Sequence, residues 1–265
     1  MRFATAALLL LLAAAPAWSQ PAPLALSAAA PQDPANPANP ESPANPRRPV
    51  WAIVKDVGRD FSHLATLDSA MVLGAGGAIA ALAHPLDGEI NARLVGDPWV
   101  EDAFAPGKII GYGLVQGGVA VITYAWGRKT KAPRVVHIGV DLLRAQILTA
   151  GLTYGLKFAV RRDRPDTTGY SFPSGHASVT FASASVLQRH FGWKGALAYS
   201  LSAYVAASRL HENRHYLSDV IFGAAVGTIA GRTVTKHGRD TWSVAAAPTR
   251  GGVYVGLVRA ANPDG

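Results

Sequence analysis

Apolar residues in the middle of this chain come in long runs separated by Gly and Pro, not in the strict alternation of half-buried strands. Six runs read as helices: Leu64–Ala83, Lys108–Trp126, Val135–Val160, His176–His190, Ala196–Ser208 and Ser218–Val234. A short amphipathic lead at Val50–Phe61 precedes them. Pro85, Pro98, Pro106, Pro133 and Pro173 fall between the segments, as expected of residues without an N–H. Glycines four apart, such as Gly223, Gly227 and Gly231, allow helix backbones to approach closely. Thr241–Val258 changes character, with two β-rich runs flanking Pro248–Gly252, and reads as a hairpin. The expected fold is all-α, a compact bundle of about six core helices with a short C-terminal β-hairpin.

The ends of the chain obey other rules. Residues 1–19 read as a secretory signal peptide: Arg2, then an apolar run with leucine from Leu8 to Leu12, then a small-residue site at Ala17-Trp18-Ser19. Residues 20–49 hold nine of the eighteen prolines and repeat Pro-Ala-Asn-Pro, so they read as a disordered, semi-rigid tether. The helical domain is then 50–237, and 238–265 is a tail carrying the hairpin.

Composition narrows the function. None of the 265 residues is Cys, which excludes a disulfide scaffold, a thiolate metal site and a Cys nucleophile. The formal charge of +8 asks for an anionic partner. The basic clusters lack interleaved aromatics, so nucleic acid is not the expected partner.

Mean hydropathy of +0.15 lies between soluble and membrane values. Val135–Val160 carries Asp141 and Arg144, each costing roughly 2.5–3.5 kcal/mol at a bilayer centre. Ala196–Ser208 and Val220–Gly231 are short for spans. Gly127–Arg134 is basic and His84–Gly107 acidic, a charge alternation that fits six spans but conflicts with a cleaved signal. The expectation is an exported protein of the periplasm or cell envelope, soluble or membrane-associated. The alternative is a multi-pass inner-membrane protein.

Three clusters carry the chemistry: Lys157 to Arg164-Pro165, Pro173-Ser174-Gly175-His176, and Ser208-Arg209 to His215 and Asp219. Each lies where a helix ends or begins, and an up-and-down bundle brings them to one end. Lys157, Arg164 and Arg209 suit a tetrahedral oxyanion. Ser174 and Gly175 open a helix whose free N–H groups favour an anion. Two histidines offer a nucleophile and an acid near neutral pH. Asp219, four residues beyond His215, can orient its ring. His211 is a candidate supporting residue. Arg161, Arg162 and Arg214 read as a solvated basic rim, and His63, His84, His137, His190 and His237 as structural. No spacing of the remaining His and acidic residues marks a metal site.

The order Lys-x6-Arg-Pro, Pro-Ser-Gly-His, Ser-Arg-x5-His-x3-Asp resembles the signature of the type 2 phosphatidic acid phosphatase superfamily. That group includes lipid phosphate phosphatases, bacterial class A acid phosphatases and vanadium-dependent haloperoxidases. The resemblance implies a phosphatase acting on phosphomonoesters or pyrophosphates, with lipid phosphates as the leading substrates. It implies His215 as the nucleophile forming a phospho-histidine, Asp219 orienting it and His176 as acid then base. Lys157, Arg164, Ser174, Gly175 and Arg209 would hold the phosphoryl oxygens. No cofactor is implied, and vanadate is expected as an inhibitor. A soluble acid phosphatase and a vanadate-dependent haloperoxidase are the alternatives.

Overall fold

The structure is a computed structural model and describes residues 36–38, 42–95, 98–236, 241–249 and 252–260. The signal segment and most of the tether lie outside the described residues. Among the described residues the body is all-helical: α1 Trp51–Ser62, α2 Leu67–Ala83, α3 Asp87–Leu94, α4 Pro98–Ile110, α5 Gly113–Thr130, α6 Pro133–Val160, α7 Gly175–Phe191, α8 Trp193–His211 and α9 Leu217–Val234. A 3-10 turn at His84–Leu86 joins α2 to α3. Two strands, β1 Thr241–Thr249 and β2 Gly252–Ala260, pair antiparallel from Thr241 opposite Ala260 to Thr249 opposite Gly252.

Local chemistry sets the boundaries. Thr66 caps α2 by accepting from the Ser69 N–H. Pro133 opens α6, where its lost donor would have no partner. Lys131 and Arg161 end α5 and α6 in the left-handed region at φ 54° and 52°. Gly192, at φ 61°, turns α7 directly into α8.

The count of about six helices is corrected. The stretch expected as an acidic loop, 84–107, forms the 3-10 turn, α3 and most of α4, and Pro106 lies inside α4. Polar contacts help hold these pieces in place. Asn91 Nδ2 donates to the His215 carbonyl at 3.4 Å, and Tyr204 Oη to the Ala103 carbonyl at 2.6 Å. The expected helix Lys108–Trp126 is broken, with a 54° bend between Glu101–Ile110 and Gly113–Thr130.

At the centre α7 packs against α6, α8 and α9. Leu142, Ala145, Leu148, Ala182, Val186, Ala230 and Val234 form the core there. The α7–α9 contact depends on the glycine ladder. A Cβ on Gly227 would lie 2.1 Å from the Ser178 carbonyl oxygen, and one on Gly223 would lie 2.6 Å from that of Ser174. Those glycines bring α9 close enough to the start of α7 for both to share a site.

Residues 42–50 are built of turns, and Arg48 pairs with Asp56 of α1 at 2.5 Å. The α1 helix is anchored in turn through Asp60, which receives two bonds from Arg144 of α6, at 2.5 and 2.9 Å.

That pairing corrects the membrane argument. Arg144 also donates to Asp141 at 3.2 Å, and both side chains are buried inside the bundle. The charges that weighed against a span therefore never face lipid. Three stretches are long and apolar enough to cross a membrane: Leu67–Leu94, Pro133–Val160 and Leu217–Val234. Counting the bent α4–α5 pair as one span makes four. Leu82 on α2, Leu114 and Ile122 on α5, Phe158 on α6 and Leu197 on α8 are exposed. Such a spread of large apolar side chains fits a bilayer and exceeds what a soluble monomer presents. The bundle has the features of a membrane protein, which favours the multi-pass alternative over the soluble one.

Candidate active site

The C-terminal ends of α6 and α8 meet the N-terminal ends of α7 and α9 at one end of the bundle. Ser174 caps α7, its Oγ accepting from Ala177 N at 3.5 Å. The N–H groups of the first turn behind it have no intrahelical partner. Asp219 is the third residue of α9, and its Oδ2 accepts from the Tyr216 N–H at 2.9 Å. The Ser174 N–H donates to the Asp219 carbonyl at 3.0 Å, tying the two helix starts together.

A cavity of about 520 Å³ opens there, lined by Arg164, His176, Arg209, His215 and neighbours. A second, of about 300 Å³, adds Lys157 and Gly175 to His176, His215 and Arg164. A third, of about 360 Å³, runs from His176 and Lys157 past Leu114, Ala150 and Val179. Six of the eight expected residues thus line one connected region that centres on His176. The other two, Ser174 and Asp219, are fully buried behind it.

His215 is buried, with its Nδ1 facing Asp219 Oδ2 at 3.7 Å, longer than a hydrogen bond. The ring therefore has Nε2 on its other side. Burial pushes its pKa down to about 4 from 6.5; the Asp219 carboxylate opposes this and the Lys157 charge adds to it. His176 is pushed lower, to about 3, first by burial and then by the Arg209 charge and His215. Both rings are neutral at neutral pH. His176 Nε2 and Arg164 Nε are buried polar atoms without a protein partner. Burial and the Arg214 charge lower the pKa of Arg164, and Arg209 is lowered chiefly by burial.

The cations are held in distinct ways. Arg209 in the last turn of α8 pairs with Glu212, and its Nε donates to Ser208 Oγ at 3.2 Å. Lys157 Nζ donates to the carbonyls of Tyr170 at 2.5 Å and Ser171 at 3.3 Å. It thereby fixes the loop that delivers Ser174. Arg214 pairs with Asp166 at 2.6 Å, in keeping with a rim role.

Arg162 is a correction. Its side chain is half-buried and held by ion pairs. It bridges Asp219 Oδ1 at 2.8 Å and Asp87 Oδ2 at 2.8 Å, donates to Ser218 Oγ at 2.7 Å and lies over the Tyr216 ring. Ser171 Oγ donates to Asp219 Oδ2. Asp87 accepts from the Ser218 N–H at 2.9 Å. Arg162, Ser171, Asp87 and Asn91 therefore brace the His215–Asp219 pair, and sequence reasoning missed all four. Asp87 and Asn91 sit four apart, a weak hint of a helix face, in a stretch read as loop. His211 points away, its Nδ1 within 2.6 Å of the Leu94 carbonyl, so it secures α3 to α8.

Comparisons with known proteins bear on the same segment. Residues 166–242 match the family profile described as PAP2 superfamily. The chain carries a PAP2 superfamily domain. A lipid A 1-phosphatase of Porphyromonas gingivalis is 37% identical over 89 residues, 32% of this chain and 20% of that protein. The chain thus matches about a fifth of that curated relative's length. Among solved structures, Aquifex aeolicus LpxE aligns with a TM-score of 0.46 at 22% identity, covering 59% of this chain and 96% of that one. The first transmembrane PAP2 type phosphatidylglycerolphosphate phosphatase from Bacillus subtilis aligns at 0.41 and 20% identity, covering 69% and 92%.

Proposed function

We propose that this PAP2 domain is a phosphatase that removes a phosphoryl group from a membrane lipid through a covalent intermediate on His215. The observation that carries the proposal is the convergence of three cations, Lys157 and Arg209 buried and Arg164 half-buried, and two neutral imidazoles on adjoining cavities. Such a cavity binds a phosphate dianion and offers it a nucleophile.

In this reading Lys157, Arg164 and Arg209, with the Gly175 N–H, surround the non-bridging oxygens. His215 Nε2 attacks phosphorus, and the bond to the leaving oxygen breaks. The Asp219 carboxylate stabilises the charge that develops on the ring. His176 gives a proton to the leaving oxygen. The bound dianion offsets the Arg209 charge that depresses His176, so it can protonate in the complex. A water molecule then gives a proton to His176 and attacks phosphorus, releasing phosphate and restoring neutral His215. The cavity wall is cationic, which favours the anion alone and needs no metal for the chemistry.

The lipid assignment rests on three supports. The bundle presents apolar residues outward on several helices. The third cavity leads from His176 between Leu114, Ala150 and Val179, giving a chain-bearing leaving group an apolar path. The partial relative from Porphyromonas gingivalis is a lipid A 1-phosphatase.

The test is phosphate release by the purified protein in detergent micelles, without added divalent metal. Phosphatidate, a lipid A phosphate, a polyprenyl pyrophosphate and p-nitrophenyl phosphate form the panel. Release from a lipid, inhibited by vanadate, is expected. Release from p-nitrophenyl phosphate alone would favour the soluble-ester reading. Halide oxidation with vanadate and peroxide, without phosphate release, would overturn the phosphatase.

A further inference from the structure

The end of the bundle opposite the candidate active site holds a second polar cluster that the reaction does not use. His137 and Asp141 lie four apart on α6, and His190 lies in the last turn of α7. His190 Nε2 is 2.9 Å and His137 Nε2 is 3.4 Å from the same oxygen, Asp141 Oδ2. All three ligand atoms lie within 4.8 Å of one another. The rings meet edge to face at 87° with centroids 4.9 Å apart, so they approach the carboxylate from two directions.

From these observations we infer that His137, Asp141 and His190 form a binding site for a divalent transition-metal ion of the zinc class, a clip joining the start of α6 to the end of α7.

The donor chemistry fits. Two imidazoles and a carboxylate suit zinc, with bonds of about 2.0–2.2 Å. In a tetrahedral site with such bonds neighbouring donors stand roughly 3.3 Å apart. The two measured separations, 2.9 and 3.4 Å, straddle that value. The support behind the donors fits as well. Asp141 Oδ1 accepts from Arg144 Nη1 at 3.2 Å, which leaves Oδ2 directed at the rings. Arg144 is itself fixed by Asp60 and by the Val234 carbonyl, at 3.3 Å. Such outer contacts orient a ligating carboxylate. Two carboxylates, Asp60 and Asp141, share one arginine here, so an added cation meets a favourable charge. The imidazoles are 14% and 13% exposed, enough for a water ligand and a route in.

The sequence reading found no metal-ligand spacing. His137 and Asp141 do have it, and the third ligand follows only from the antiparallel packing of α6 on α7.

The experiment uses the full chain in detergent, with any affinity tag removed. Zn²⁺ is added after dialysis against chelator, with Mg²⁺ as the control. We expect about one bound Zn²⁺ per chain by elemental analysis and a melting midpoint raised by several degrees, with no response to Mg²⁺. His190→Gln and His137→Gln should each abolish both responses while remaining folded. If Asp141→Asn fails to fold, the two histidine variants still decide the matter. No stoichiometric zinc, or an equal rise in the His190→Gln protein, would overturn the site.

Discussion

The two ends of this bundle each gather charged groups and arrange them to opposite effect. At the candidate active-site end Lys157, Arg164 and Arg209 line cavities, while Asp219 lies fully buried behind His215. At the other end Arg144 is enclosed by Asp60 and Asp141, with two histidines on the second carboxylate. A surplus of cations beside a cavity makes a site for an anion. A surplus of carboxylate around one arginine makes a tight structural knot whose charge favours a cation. Buried charge alone therefore does not mark function; the sign of its imbalance and the open space beside it do.

The largest separation of the two ends should come from His215→Ala. Phosphate release from a lipid phosphate should fall at least about 10⁴-fold, with the melting midpoint little changed. Turnover surviving in this variant would remove the comparison, because the cavity would no longer be the reacting end. At the opposite end Arg144→Ala should cost about 3–5 kcal/mol of stability, since it leaves two carboxylates buried without their partner. Thermal unfolding in detergent reads this, and turnover by the folded fraction should persist.

Smaller effects sharpen the picture within the active end. Arg209→Ala removes a cation that lines the cavity and, in the proposed reaction, holds the phosphoryl group; it should lower kcat by about 10²–10³-fold. Arg162→Ala removes a group that braces Asp219 behind His215. Its kcat should fall by up to about 10²-fold with KM unchanged, and Arg162→Lys should recover part of the loss. A rise in KM would instead place Arg162 against substrate.

The mildest test is the acid limb of kcat/KM. His215 is held below its ordinary value, so as the proposed nucleophile it stays unprotonated until the pH falls to about 4. The limb should appear near that value, well below 6.5. The same shift sets the direction of stability. The unfolded chain binds the proton first, so stability falls as pH drops from 6.5 toward 4.

Much of the site was legible because its chemistry sits at helix ends, where local rules apply. Ser174 caps α7, and Asp219 lies one turn after His215 and closes the start of α9; both follow from spacing over a few residues. The glycine ladder on α9 was visible for the same reason, and the Cβ clashes at Gly223 and Gly227 give it a physical basis. Arg162 was misread as rim because its partner Asp87 is 75 residues away, in a stretch read as loop.

The sequence by itself picked out the candidate site residues and the helix termini that carry them, because caps, dipoles and four-residue spacings are local. The tertiary structure alone decided three things. It placed α3 and Arg162 behind the His215–Asp219 pair. It enclosed Asp141 and Arg144 so that α6 can face lipid without exposing charge. It also brought His190 across to His137. Each of these depends on a partner dozens of residues distant, and only the packed bundle fixes which distant polar group satisfies which.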